Sequence, residues 1–141
     1  MFDSVINKDK KFIYISTDFV FSGNDKDKIY TETDIPNPSG IYGKSKLKGE
    51  KIVNGKGMIV RISYPYRAQF EEKKDFVASI KSILENGQEM NVVTDSIFTP
   101  TFIDDIAYGL KHLLNNFDTK IYHLVGSMDL SPYEAVKLIA N

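Results

Sequence analysis

The 141-residue sequence contains no cysteine, few prolines and no excess of either charge, with 18 basic against 19 acidic side chains. Without thiols there is no disulfide framework and no thiolate metal site, which suits a reducing cytosol, so a cytoplasmic location is expected. No apolar run approaches the roughly 18 to 20 residues that span a bilayer, and the N-terminus lacks the apolar stretch of a signal peptide. The balanced charge carries no basic stripe with interleaved aromatics, so neither nucleic acid nor membrane is expected as a partner. Two histidines, His112 and His123, without a neighbouring acidic cluster make a poor metal site, and no metal is expected. His112 reads as solvated, and His123 as a hydrogen-bonded strand residue. Asp104-Asp105 read as acids at the positive end of a helix rather than as metal ligands. The Lys8-Asp9-Lys10-Lys11 run reads as a solvated loop.

What is present alternates between strand and helix. Met1 to Asn7 reads as the end of a helix. Phe12-Ile13-Tyr14-Ile15 is a continuous apolar run of buried-strand length. The polar stretch Ser22 to Ser39, with Gly23, Pro36 and Pro38, excludes regular structure, and so long a loop is usually functional or mobile. A helix is predicted over about Ile41 to Val53, ended by Gly55-Lys56-Gly57, with Lys44, Lys48, Glu50 and Lys51 as a solvated face. Met58 to Ile62 reads as a second buried strand, broken by Pro65. An apolar stripe predicts a helix from about Asp75 to Glu85, ended by Asn86-Gly87. Glu89 to Val93 reads as a short strand, Thr99-Pro100-Thr101 as a turn, Ile103 to Leu114 as an amphipathic helix and Ile121 to Val125 as a strand. Ser131-Pro132-Tyr133-Glu134 is a capping box opening a last helix, with proline at its first position. The alternation predicts an α/β fold with a largely parallel sheet.

Tyr42-Gly43-Lys44-Ser45-Lys46 is the segment richest in chemistry. Positions four apart share a helical face, so Tyr42 and Lys46 can act at one point. An ammonium near a phenol favours the phenolate, which suits a phenol that gives a proton to a carbonyl oxygen while hydride arrives at its carbon. Ser16-Thr17-Asp18, ending the first strand, offers hydroxyls to the same oxygen. A Tyr–Lys pair at this spacing also occurs on plain solvated turns. Its context gives it more weight here.

That context is a series of ordered matches. They run from Ile15-Ser16-Thr17-Asp18-Phe19-Val20-Phe21-Ser22-Gly23, through Tyr30-Thr31-Glu32, Asp34 and Pro38, to Tyr42–Glu50. They continue with Arg61-Ile62-Ser63-Tyr64, Asp95, Pro100-Thr101-Phe102 and Ile121-Tyr122-His123-Leu124. With them the chain resembles the extended short-chain dehydrogenase/reductases, and among these the dTDP-4-dehydrorhamnose reductase branch most closely. The resemblance implies the second half of a Rossmann-like, doubly wound sheet over about residues 1–65, with part of a small substrate-binding lobe over about 66–141, in a single partial domain. It implies NADP or NAD as cofactor and a 4-keto-6-deoxy nucleotide sugar as substrate. Tyr42 looks like the proton donor, Lys46 its partner that also contacts the nicotinamide ribose, and Thr17 the hydroxyl that orients the carbonyl. Ser16 and Ser63 fall with Tyr42 and Lys46 on the cofactor side. Asp18, Phe19, Tyr64 and Thr101 fall where the branch lines its sugar pocket. Phe19 replaces a usual tyrosine and Tyr64 a frequent tryptophan. Ser96 and Phe98 stand where glutamine and glycine are common.

The Gly-rich turn that cradles a dinucleotide pyrophosphate has no counterpart among the glycines here. The chain therefore reads as a fragment, expected to be inactive alone, of a protein longer at both ends. An exposed half-sheet edge would favour self-association, in the simplest case a homodimer. Two other readings remain open. One is a nucleotide-sugar epimerase or dehydratase with the same triad. The other is a non-catalytic regulatory subunit resembling the β subunit of methionine adenosyltransferase.

Overall fold

The computed structural model describes residues 10–25, 28–68 and 74–140; the helix end expected at Met1–Asn7 lies outside them. The described chain forms two compact units, one of residues up to Ile62 with Ala107–Leu124, the other of Ser63–Ile106 with residues from Val125 onward.

The first unit is built on a parallel sheet. Strand β1 (Ile13–Thr17) pairs with β2 (Met58–Ile62), and β2 pairs with β5 (Ile121–His123), giving the order β1-β2-β5. Met58, Ile59 and Val60 are buried without remainder, as expected of a central strand with both faces covered. Helix α1 (Ile41–Val53) follows the long loop and packs on β1. The chain turns back at Gly55, whose φ of 73° is a left-handed conformation that glycine adopts without strain. Helix α3 (Ile103–Asn115) precedes β5, and the Lys11 ammonium donates to the carbonyl of Leu114 in its last turn.

The second unit holds a short parallel pair, β3 (Pro65–Tyr66) with β4 (Thr101–Phe102), and two helices in contact, α2 (Phe76–Glu85) and α4 (Pro132–Ala140). Asp75 caps α2 by accepting from the Ala78 amide at 2.9 Å. Ser131 and Glu134 form the capping box of α4. The glutamate accepts from the Ser131 amide and hydroxyl at 2.8 and 2.7 Å, and the serine oxygen accepts from the Glu134 amide at 3.2 Å.

Five sequence expectations need correction. Residues 88–93 form no strand, being mostly exposed and without a pairing partner among the described residues. Pro65 does not end strand structure; it opens β3, a position where a missing N–H costs nothing. Thr101 belongs to β4 rather than to a turn. Glu50 is buried, not solvated, because it meets a buried arginine. The strand at Ile121 also stops two residues early, at His123.

Candidate active site

Thr17 ends β1 and starts the 3-10 turn Asp18–Val20, at the carboxyl end of the parallel strands, where open α/β sheets hold their ligands. Its hydroxyl donates to Asp18 Oδ1 at 2.9 Å and accepts from the Phe19 amide at 3.3 Å, which folds the turn around it. Val20 and Phe21 anchor the turn in the core, while the Phe19 ring stays half exposed.

Gly43 explains how α1 reaches this turn. A Cβ there would lie 2.0 Å from the Phe19 carbonyl oxygen and 2.9 Å from Pro38, so only glycine permits the approach. The contact sets Tyr42, one residue earlier, beside the turn. Its ring meets the Phe19 ring edge-on at 6.0 Å and 75°, and it is 58% exposed. The phenol therefore stands on the surface rather than in the core.

One turn further on, Lys46 Nζ donates to the Ile15 carbonyl at 2.5 Å and lies 4.4 Å above the Tyr14 ring. The Tyr14 hydroxyl donates back to the Lys46 carbonyl at 3.3 Å. Parallel pairing accounts for this placement. The Met58 amide bonds the Phe12 carbonyl, so Tyr14 and Ser16 face β2 while Ile15 faces the outer edge of β1. Lys46 thus supplies a donor to a β1 carbonyl that the ladder with β2 leaves unused.

Another turn along the same stripe is Glu50. It receives Arg61 Nε and Nη2 at 2.9 and 2.7 Å and the Ser16 hydroxyl at 2.5 Å. Arg61 Nη1 lies 3.3 Å from His123 Nε2, and the guanidinium sits 5.0 Å from the Phe21 ring centre. Ser16, Arg61 and His123 are register partners across all three strands. They form one polar rung immediately below Thr17, closed by Glu50. Burial pushes His123 below its ordinary 6.5, and Arg61 lowers it further, while Glu32 and Glu50 act the other way. The Glu32 carboxylate accepts the His123 amide at 2.9 Å, which is the main cause holding it below the usual glutamate value.

The structure thus gathers Thr17, Asp18, Phe19, Tyr42 and Lys46 at one end of the first unit. Ser16 lies there too, but it is buried with its hydroxyl committed to Glu50. Ser63, Tyr64 and Thr101 belong to the second unit. There the Tyr64 ring lies against Phe98 with centroids 4.5 Å apart and planes tilted by 46°, and Thr101 is buried with its hydroxyl on the Ser63 carbonyl. Sequence reasoning missed the Glu50–Arg61 pair. Its signal was a single arginine inside the apolar strand Met58–Ile62, which demands a buried counter-charge. Among the described residues no cluster of three metal-ligating side chains forms, and no helix is long and apolar enough to cross a membrane.

The chain as a whole is similar to known proteins. A dTDP-4-dehydrorhamnose reductase of Aggregatibacter actinomycetemcomitans is 32% identical over 141 residues, covering 94% of this chain and 47% of its own. The crystal structure of a Bacillus anthracis dTDP-4-dehydrorhamnose reductase in complex with NADP superimposes with a TM-score of 0.81 at 33% identity, over 92% of this chain and 46% of that one. A hypothetical dTDP-4-dehydrorhamnose reductase from Sulfolobus tokodaii gives 0.82 at 31%, over 93% and 45%. The chain spans about half the length of the relatives it matches. The fold is therefore α/β with parallel strands, as the alternation of elements predicted, and Rossmann-like, as the resemblance implied. With residues 4–141 matching the model of the RmlD substrate binding domain, the chain belongs to that family.

Proposed function

We propose that this chain supplies the proton-delivering part of an NAD(P)H-dependent reductase that converts the 4-keto group of a 6-deoxy nucleotide sugar to an alcohol. NADPH is the favoured reductant, by likeness to the Bacillus anthracis complex with NADP. The first unit, to which residues 107–124 return with β5, then belongs to the cofactor domain, and the second unit to the substrate lobe, in place of a single boundary near residue 65. The observation that carries the reading is the Gly43 contact, which sets an exposed tyrosine beside the turn that begins at Thr17.

The donor set suits a nicotinamide ribose. Tyr42 and Lys46 share a helical stripe, and one of the three N–H bonds of Lys46 is used at Ile15. When bound, the nicotinamide supplies hydride to the ketone carbon. Tyr42 gives its proton to the ketone oxygen, so the carbonyl becomes a secondary alcohol as the reductant is oxidised. The Lys46 ammonium offsets the charge left on the phenol oxygen. Thr17 offers a hydroxyl to the substrate oxygen, and Asp18 and Phe19 border the sugar.

NADPH consumption with dTDP-4-dehydrorhamnose tests this reading. The chain is assayed alone and fused to the part of the Bacillus anthracis reductase that this chain does not match. Turnover is expected only in the fusion, and Tyr42→Phe should lower it by roughly 10²- to 10⁴-fold, the range for a general acid. Equal rates with and without the phenol hydroxyl would remove the assignment.

A further inference from the structure

Tyr64 has φ 36° and is, among the described residues, the one non-glycine with positive φ. A bulky aromatic crowds its own backbone in that region. Pro65 follows, and a proline further restricts the residue before it. Such a conformation persists only where the surroundings over-determine it.

Thr101 provides those constraints. Its amide donates to the Tyr64 carbonyl at 3.2 Å, and its hydroxyl donates to the Ser63 carbonyl at 2.7 Å. These two carbonyls belong to the peptide planes on either side of the Tyr64 Cα. One residue therefore holds both planes, and with them the rotation between them. The hydroxyl also accepts the Gly126 amide at 3.1 Å, with the Thr99 carbonyl 3.3 Å away. A Cβ at Gly126 would lie 2.2 Å from the Pro100 carbonyl oxygen, so glycine is what lets that amide approach. Thr101 is 2% exposed, which keeps water from competing for these bonds.

We propose that Thr101 is a positioning residue. By fixing both peptide planes of Tyr64, it sets the Tyr64 ring against Phe98, tilted by 46° at 4.5 Å, and edge-on to Phe76, at 6.0 Å. The partly exposed ring then serves as a stacking wall for a ligand ring. The identity of that ligand rests on the reductase reading, whereas the clamp does not. The role differs from direct contact with substrate, because the threonine hydroxyl is already committed within the fold.

The test is nuclear magnetic resonance on the labelled 141-residue chain, read at Tyr64 through the strong amide–Hα cross-peak within one residue that marks positive φ. Thr101→Ser keeps the hydroxyl and should keep the signature. Thr101→Val keeps the shape and should lose it, together with the Tyr64–Phe98 ring contacts. If Thr101→Val does not fold, Tyr64→Gly is added. A glycine needs no clamp, so the double variant should regain a dispersed spectrum. A folded Thr101→Val that retains the signature, or a double variant that stays unfolded, overturns the proposal. No ligand is used, so failure of the reductase assay would leave these results standing.

Discussion

Glu50 and Arg61 form a two-pronged ion pair inside the first unit, with side chains only 4% and 2% exposed. Planar guanidinium and carboxylate groups match in such a fork, and the Ser16 hydroxyl fills a further acceptor site on the glutamate. Removing one partner leaves the other charged, buried and unmatched. Glu50→Ala should therefore destabilise the chain by about 3–5 kcal/mol, read as a lower urea midpoint at constant slope. Replacing both, as Glu50→Met with Arg61→Leu, should recover most of that loss, because desolvation of the pair offsets much of its attraction. A double variant as unstable as Glu50→Ala would mean that the rung does more than balance charge.

Gly43→Ala sets two effects of opposite sign against each other. Alanine favours helix over glycine by about 1 kcal/mol. The new methyl would lie 2.0 Å from the Phe19 carbonyl oxygen, which is backbone and cannot rotate away. Overpacking of this kind costs about 1–3 kcal/mol, so a net loss of thermal stability is expected. The Phe19–Tyr42 ring contact should weaken with it, read from ring proton shifts. Gly40→Ala is the control, since open space surrounds that position. Equal stability of the two variants would show that the helix start is not held against the turn.

The elements legible in the sequence were those whose signals are local. The apolar run Met58–Ile62 and the Gly55-Lys56-Gly57 stop gave β2 and the end of α1, because burial on both faces and a left-handed turn each leave a mark on adjacent residues. The helix that carries Tyr42 and Lys46 was likewise legible from adjacent residues. Glu50 was not, because its neighbours Lys48 and Lys51 make the stripe look solvated, and only the distant Arg61 shows otherwise. The β3–β4 pair was hidden for a related reason. Two residues per strand carry no periodicity, and a proline at the start argues against a strand unless its partner is known. At residues 89–93 strand-like composition was not enough without a neighbouring strand to pair with.

The loop carrying Asp34 should loosen in acid. Bonds from the Lys28 ammonium and from the Thr31 amide and hydroxyl hold its carboxyl at about 2, below the ordinary 3.8. A depressed carboxylate stabilises the fold above its unfolded value, and that contribution is lost as pH falls through the folded value. Between about pH 4 and 2, the protection of the Thr31 amide against hydrogen exchange should fall, and in Asp34→Asn it should be low throughout. Protection that is independent of pH in this window would exclude the carboxylate as the anchor.

His123 should give the chain a second pH response with the same sign at a higher pH. Its ring is half-buried beneath the Phe21 ring at 5.8 Å, and burial disfavours the charged form. The groups facing it are Arg61, which opposes a second positive charge, and Glu32 and Glu50, which favour one. The net shift is downward, so the unfolded chain binds the proton more readily than the folded one. Stability is complete above the unfolded value of about 6.5 and declines as pH falls through the folded value. The urea midpoint should therefore drop on acidification below about pH 6.5 with the slope unchanged. His123→Gln, which keeps a polar group near Arg61 but cannot titrate, should flatten that part of the curve. An equally steep decline in the glutamine variant would place the titrating group elsewhere, and the polar rung would then have no part in the acid sensitivity of the sheet.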